Sequence, residues 1–481
     1  MAESADDADK PVENHPLAGD TSAWSNIQIL LRDLIIFRSP LKDIDVALDC
    51  GGAVNGPIIK GLRPLHYAVY DNNVDCAAHL LEKGADIDIA DAIDYRPVHI
   101  AAKHGSFECL KLLIEQGAQL NFVNDTTQSL DAQALGYLSI EPINLAISNN
   151  HINCTRLLLE NGVSPNNRYF LGNEINVIPL ENLKCLELLL EFGANPNSLS
   201  RSGYTPLMTA CKEQNLDAVK TLLEYKADID FKSLARFDEK RALYFAILGG
   251  NVDLTTLLLE HGAYKRCIGR NTHALTFAVS CGLLEICKLL LAHGANVKEC
   301  NEDGLTPLLA ACTTHDCQKE IIALLLQHGA DPNVHCELAA YDLPSLTPLY
   351  EYFVYQRKPS LDITQLLLRY GARISFRQAT RNCLIKDPFG FLTHFPKLLE
   401  REELLDLILS ASESFSPSAI IVSPDLKDEE KGILLSLAVP VRLKHLARLS
   451  IRTATGLVFP EKVERLPLPT LLKSYLLYDV Y

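Results

Sequence analysis

DGLTPLLAACTTHDCQKEIIALLLQHGADPN, Asp303 to Asn333, holds one complete structural unit. Asp303-Gly304 signals a turn, because glycine tolerates the positive φ that tight turns often need. Thr306-Pro307 then opens a helix: the hydroxyl can cap a free N–H, and proline fits the first helical position, where no N–H is required. Leu308, Leu309, Ala310 and Ala311 make a small-residue helix suited to close packing. A polar break follows, then the apolar run Ile321 to Leu326, which Gly329 ends as a left-handed cap. Two antiparallel helices of this size cannot bury their apolar faces alone, so the unit predicts stacked copies.

The copies are present. Gly84 to Gly117 is 33 residues, Gly162 to Gly193 is 31, Gly262 to Gly294 is 32 and Gly294 to Gly329 is 35. Lys226 stands where the next glycine after Gly193 is due, and a last copy ends at Gly371. The matching starts include Arg63-Pro64-Leu65-His66, Arg96-Pro97-Val98-His99, Glu141-Pro142, Ile178-Pro179, Thr205-Pro206 and Thr347-Pro348; those at Ala242 and Ala274 lack the proline. This period and start motif resemble the ankyrin repeat, with its turn and paired helices. The resemblance implies an all-α solenoid of about nine or ten helix-pair repeats, and ankyrin arrays are general binding surfaces.

Composition bounds the rest. The chain has 481 residues, 48% hydrophobic and 22% charged, ordinary for a folded protein, and a formal charge of −15. That balance argues against nucleic acid as a partner, since phosphates call for a basic face. No apolar run reaches bilayer-spanning length and MAESADDADK has no signal-peptide core, so cytosol, nucleus or both is the expected compartment. Fourteen cysteines in such a chain read as reduced, mostly buried thiols.

Taken in order, residues 1–23 are acidic and poor in large apolar groups, the composition of a disordered segment. Residues 24–60 read as a degenerate capping repeat, with Trp24, Ile27, Leu30, Leu31, Leu34 and Ile35 on one helical face. The repeats proper occupy 61–375. Their spacing breaks at three places where a partner could be read or where a loop has simply drifted: an extra loop over Phe122–Ile140, a repeat clipped between Leu180 and Leu183, and HCELAAYDLPSL after Asn333. Capping helices are expected over 376–411, with Leu398, Leu399, Leu405 and Ile408 on adjacent turns. Residues 412–432 are rich in Ser, Pro and charge and read as a linker.

Residues 433–481 form a different module. Pro440 can start a helix with Leu443, Leu446, Ala447 and Ser450 on one face and Arg442, Lys444, Arg448 and Arg452 on the others. A second short helix starts at Pro460. Leu466-Pro467-Leu468-Pro469 forces an extended segment, and Pro469 opens a third helix striped by Leu471, Leu472, Tyr475 and Leu476. Three such helices bury little area and need a further surface to complete them. The arrangement resembles the SOCS box. In that family the first helix inserts a Leu and a small residue into elongin C, and the LPxP segment with the following helix faces a cullin. By that resemblance Leu443, Leu446, Ala447, Leu449 and Ile451 would meet elongin C, and Leu466, Pro467, Leu468, Pro469, Tyr475 and Leu476 the cullin. Arg442 stands where the family has Ser, Thr or Pro, and Ala447 where it has Cys.

Ankyrin repeats followed by a SOCS box resemble the ankyrin repeat and SOCS box family. Its members are substrate receptors of cullin-RING ubiquitin ligases, and the resemblance implies elongins B and C, a cullin with its RING protein, and a protein substrate as partners. No P-loop, G-x-G-x-x-G or nucleophile elbow is present, so no catalytic residue and no cofactor is expected. Cys312, His315 and Cys317, or His335 and Cys336, lack paired metal-ligand spacing, so no metal is expected. His66 and His99 hold the fourth position of the start motif, where a histidine hydrogen-bonding to the preceding turn is structural. Two further readings remain open: an ankyrin scaffold without ligase recruitment, and a C-terminal segment that only caps the repeats. A basic helix on a membrane would leave Leu471–Tyr481 without a role.

Overall fold

The computed structural model describes residues 26–122, 141–166, 174–176, 178–180, 182–234, 239–263, 268–269, 272–301, 304–314, 318–334, 347–376, 398–399, 401–412, 414–415, 420–421, 426–437, 450, 460–466 and 468–478. The chain divides into two units, residues 1–210 with 217–228, and residues 211–216 with 229–481.

In the first unit helices pair in chain order. α1 (Asn26–Ile36) pairs with α2 (Leu41–Asp49), α3 (Pro64–Tyr70) with α4 (Val74–Glu82), α5 (Pro97–His104) with α6 (Phe107–Glu115), and α7 (Pro142–Ser148) with α8 (Ile152–Glu160). Among the described residues only a 3-10 turn, Glu174–Asn176, stands before α9 (Leu183–Glu191), in keeping with the short Leu180–Leu183 spacing. α10 (Pro206–Lys212) and α11 (Leu216–Glu224) follow, with the turn between them assigned to the second unit. The second unit continues with α12 (Ala242–Leu248) and α13 (Val252–Glu260), α14 (Ala274–Ser280) and α15 (Leu284–Ala292), α16 (Pro307–Thr313) and α17 (Lys319–Gln327), and α18 (Pro348–Tyr355) and α19 (Leu361–Arg369). The fold is the all-α ankyrin solenoid, with ten pairs among the described residues, the fifth clipped.

The start and stop chemistry operates as the quoted stretch predicts. Thr306 Oγ1 accepts the Leu309 N–H at 3.3 Å and Pro307 takes the first helical position of α16. Gly84, Gly117, Gly162, Gly193, Gly262, Gly294, Gly329 and Gly371 all hold φ between +79° and +96°, and Lys226 adopts φ +62° in the same register. Every second helix after α2 wholly shields at least one leucine, among them Leu80, Leu113, Leu158, Leu258, Leu290 and Leu325. These are the side chains that a lone pair could not hide and a stack can.

Three sequence expectations need correction. In α1 the buried face is Gln28, Leu31 and Ile35, while Leu30 is 51% exposed. The amide of Gln28 explains the swap: its Nε2 donates to Ala53 O and Gly56 O, and its Oε1 accepts the Ala53 N–H, tying down the loop after α2. In α20 (Glu402–Ala411) Leu404, Leu407 and Ile408 are buried and Leu405 is only half-buried, because the helix restarts at Glu402 and rotates the stripe by one residue. Last, α21 (Asp428–Leu437) runs across the expected linker boundary at 432/433. A two-residue parallel pairing, Ser375–Phe376 with Ser414–Phe415, joins the end of the repeats to the segment after α20. No described helix is long and apolar enough to cross a membrane.

Candidate functional site

The described part of the C-terminal module consists of α22 (Pro460–Glu464), α23 (Thr470–Leu476) and the segment between them. Proline opens α22 and Pro469 precedes α23 with φ −54° and ψ 147°, an extended geometry that ends the preceding segment and feeds the helix. Val463, Leu476 and Leu477 form a small buried core, and Leu466 and Leu468 pack against it half-buried. The extended segment is stitched by Leu466 N–H to Val463 O at 3.1 Å and Leu468 N–H to Leu466 O at 2.8 Å. Across the two helices Lys473 Nζ donates to Glu464 O and lies 3.9 Å from the Glu464 carboxylate.

The six expected cullin-facing residues therefore divide. Leu466 and Leu468, which cannot hide in a helix of their own, are turned inward between the two helices, and Leu476 is core. Pro469 is exposed and Tyr475 half-exposed; Pro467 lies outside the described residues. Leu472, placed with the apolar stripe by its spacing, is instead 48% exposed and adjoins Pro469 on the outer side of α23. The elongin-facing set, Leu443, Leu446, Ala447, Leu449 and Ile451, lies outside the described residues.

The module is also tied to the last repeat. Gln365 Nε2 on α19 donates to Tyr478 O at 2.8 Å. Tyr478 is buried and takes φ +63°, a left-handed conformation that non-glycine residues adopt only when their surroundings hold them there. Neither Gln365 nor Tyr478 carries a sequence signal that would have linked them.

The two candidate metal groups fall largely outside the described residues. Cys312 is buried in α16, while His315, Cys317, His335 and Cys336 fall outside the described residues, as do most of the two inserted loops. Among the described residues no three metal-ligating side chains cluster. None of the ten described cysteines forms a disulfide, and burial pushes the thiols of Cys76, Cys109 and Cys287 up to about 12.

The family described as "Ankyrin repeats (3 copies)" matches residues 41–124, 65–169, 176–268 and 243–336, and the family described as "SOCS box" matches 439–477. The chain belongs to the ankyrin repeat and SOCS box family. It is 27% identical over 315 residues to mouse "Ankyrin repeat and SOCS box protein 14", covering 59% of this chain and 46% of that protein. With mouse "Ankyrin repeat and SOCS box protein 16" it shares 30% identity over 192 residues, 36% of each. The chain thus spans about half or less of the length of these relatives. A crystal structure of the human ASB11 ankyrin repeat domain aligns at 24% identity and TM-score 0.40, covering 50% of this chain and 99% of that one. The SOCS-box match includes all eleven residues singled out by sequence, from Leu443 to Leu476.

Proposed function

We propose that this chain is a non-catalytic substrate receptor of a cullin-RING ubiquitin ligase, acting in the cytosol, the nucleus or both. The observation that carries the reading is the conjunction of a repeat array with a C-terminal segment that matches the SOCS box. The array holds a protein substrate. The SOCS box takes elongin C, with elongin B, through Leu443, Leu446, Ala447, Leu449 and Ile451. Pro469, Leu472 and Tyr475, the outward residues of α22–α23, offer the cullin contact, while Leu466, Leu468 and Leu476 hold that surface in shape. Tethering raises the local concentration of substrate lysines near the charged ubiquitin carrier, so no chemistry need occur on this chain.

The test is co-purification with elongins B and C. Wild type should recover both, and Leu443→Asp should lose at least about tenfold, because a charge in an apolar pocket costs several kcal/mol. Tyr475→Asp should spare elongin capture and weaken cullin association. Equal, background-level elongin recovery by wild type and Leu443→Asp would leave a plain ankyrin scaffold as the reading.

A further inference from the structure

We infer that the inner-helix face of the second and third repeats is a docking surface for an acidic segment of a partner protein. It rests on the receptor reading only in calling that partner a substrate. The start motif is where the inference begins. At Thr205 and Thr306 the hydroxyl caps its helix, accepting the N–H of Met208 and Leu309. The two repeats that begin at Arg63 and Arg96 differ. His66 Nδ1 accepts the Arg63 N–H at 3.0 Å, and His99 Nδ1 accepts the Arg96 N–H at 3.2 Å. The histidines satisfy the cap residue's own N–H, not the one a threonine hydroxyl accepts, and the arginine side chain, which has no acceptor, does not cap the helix.

In both repeats that side chain ends in a guanidinium. Arg63 and Arg96 are 33 residues apart in equivalent register, so they stand side by side at the starts of α3 and α5. Seven residues on, two helical turns along the same face, lie Tyr70 and Lys103, again in equivalent register. Arg63 Nε and Nη1 are shut off from solvent with no acceptor. The Arg96 guanidinium lies 4.4 Å from the Phe122 ring centroid and bonds only the neutral Gln119 Oε1, and Lys103 Nζ sits 5.5 Å above the Tyr95 ring. None of the three cations forms a salt bridge among the described residues, whereas neighbouring Arg38 is paired with Asp71 and outer-helix Lys83 with Asp45.

Arg96 and the exposed Lys103, cations with no ion-pair partner among the described residues, call for carboxylates, which meet them in charge-assisted pairs, while the enclosed Nε and Nη1 of Arg63 leave only the rest of its guanidinium to contribute. Aromatic rings at the rim supply the apolar contact: Tyr70 is 54% exposed, and Phe37 holds its register position one repeat earlier at 77%. The chain's net charge of −15 favours basic partners on encounter at long range, and Asp91, whose charge reaches both His66 and Tyr95, lies by this face, so the cations attract a partner carboxylate only at contact distance. The occupant is therefore an extended peptide with carboxylates spaced to reach successive repeats and at least one apolar side chain between them.

The test uses the full chain purified with elongins B and C as bait for a displayed library of random short peptides, against an Arg63→Glu, Arg96→Glu, Lys103→Glu triple variant. Wild type should enrich peptides rich in Asp and Glu, and a synthesised winner should bind the triple variant at least about tenfold more weakly, with the loss growing at low salt. Lys103→Glu alone, an exposed change that leaves folding untouched, should weaken it several-fold. Elongin capture should be unchanged in every variant, so a loss of capture would fault the receptor reading and not this one. Winners without acidic bias, equal affinity for wild type and variants, or no winner at all would overturn the proposal. So would an oligothymidylate that displaces the winners and binds more tightly than any of them.

Discussion

The repeat array and the C-terminal module solve the same problem of short helices in opposite ways. In the array, α17 hides Leu325 completely because other pairs stack on it within its unit. In the module, α22 and α23 between them enclose Val463, Leu476 and Leu477, and leave Leu466 and Leu468 half-covered and Leu472 in the open. Nearest-neighbour stacking lets one repeat lean on the next, so stability accumulates along the chain. The two described helices of the module gain part of their stability from what they dock on, here α19 through Gln365 and Tyr478. The contrast teaches where a partner is structurally required and where it is merely accommodated.

Matched truncations separate the two most sharply. Leu476→Ala and Ile322→Ala remove similar side chains from sites 3% and 0% exposed, and each should cost about 2–4 kcal/mol. In the module that removes one of the three side chains that form the buried cluster among the described residues, so amide exchange over Thr470–Leu476 should become unprotected and elongin capture should fall with it. In the array the same loss should only lower the main melting transition, leaving Lys319–Gln327 protected at low temperature. Retained protection over Thr470–Leu476 in Leu476→Ala would erase the distinction drawn here.

The two regions also differ in how far the sequence alone could be read. The array was legible because one physical rule, a short helix pair that must stack, repeats its signals ten times. Even the clipped repeat and the Lys226 substitution could be placed by counting from Gly193. What escaped was any feature made by a side chain acting outside its own repeat pattern. Gln28 sits where spacing predicts no core residue, yet its three hydrogen bonds bury it. The module was legible as helices and breaks, because prolines fix both. Which leucine faces inward was not, since Leu466, Leu468 and Leu472 differ in exposure for reasons that lie in tertiary packing and not in period.

Counting along the array yields a smaller test. Lys226 occupies a left-handed cap position that eight other repeats fill with glycine, at φ +62°. A side chain there carries strain that glycine lacks, partly offset by glycine's greater freedom in the unfolded chain, so Lys226→Gly should stabilise by about 1 kcal/mol. The equivalent change in reverse, Gly193→Lys, meets no neighbouring atom within 4 Å and should cost a similar amount through backbone conformation alone. Urea unfolding of both variants measures it. Opposite signs of similar size mean that φ, and not packing, sets the repeat boundary; a much larger loss in Gly193→Lys would break that account.

The smallest expected effect distinguishes the two regions by pH. His66 accepts the Arg63 N–H at Nδ1, so its proton is on Nε2, which donates to Tyr95 O at 3.1 Å; the ring is wired as neutral. Burial pushes its pKa below the ordinary 6.5, and the carbonyl of Tyr95 and the charge of Asp91 only partly counter that. In the unfolded chain the same ring titrates near 6.5, so as pH falls through that value the unfolded state takes up the proton first and stability is lost. Above it the contribution is constant. His104, also lowered by burial, acts in the same direction more weakly because it is more exposed. No histidine occurs between Pro460 and Tyr478, so this loss on acidification falls on the array and not on α22 and α23. Replacing His66 with Gln keeps an acceptor for the Arg63 N–H and a donor for Tyr95 O but removes the titration. The melting temperature of His66→Gln should therefore fall less steeply than that of wild type between about pH 7.5 and about pH 5.5. Parallel slopes would mean that His66 gains its proton in the folded array as readily as in the unfolded chain, and that the bond to Arg63 is not what holds the start of α3.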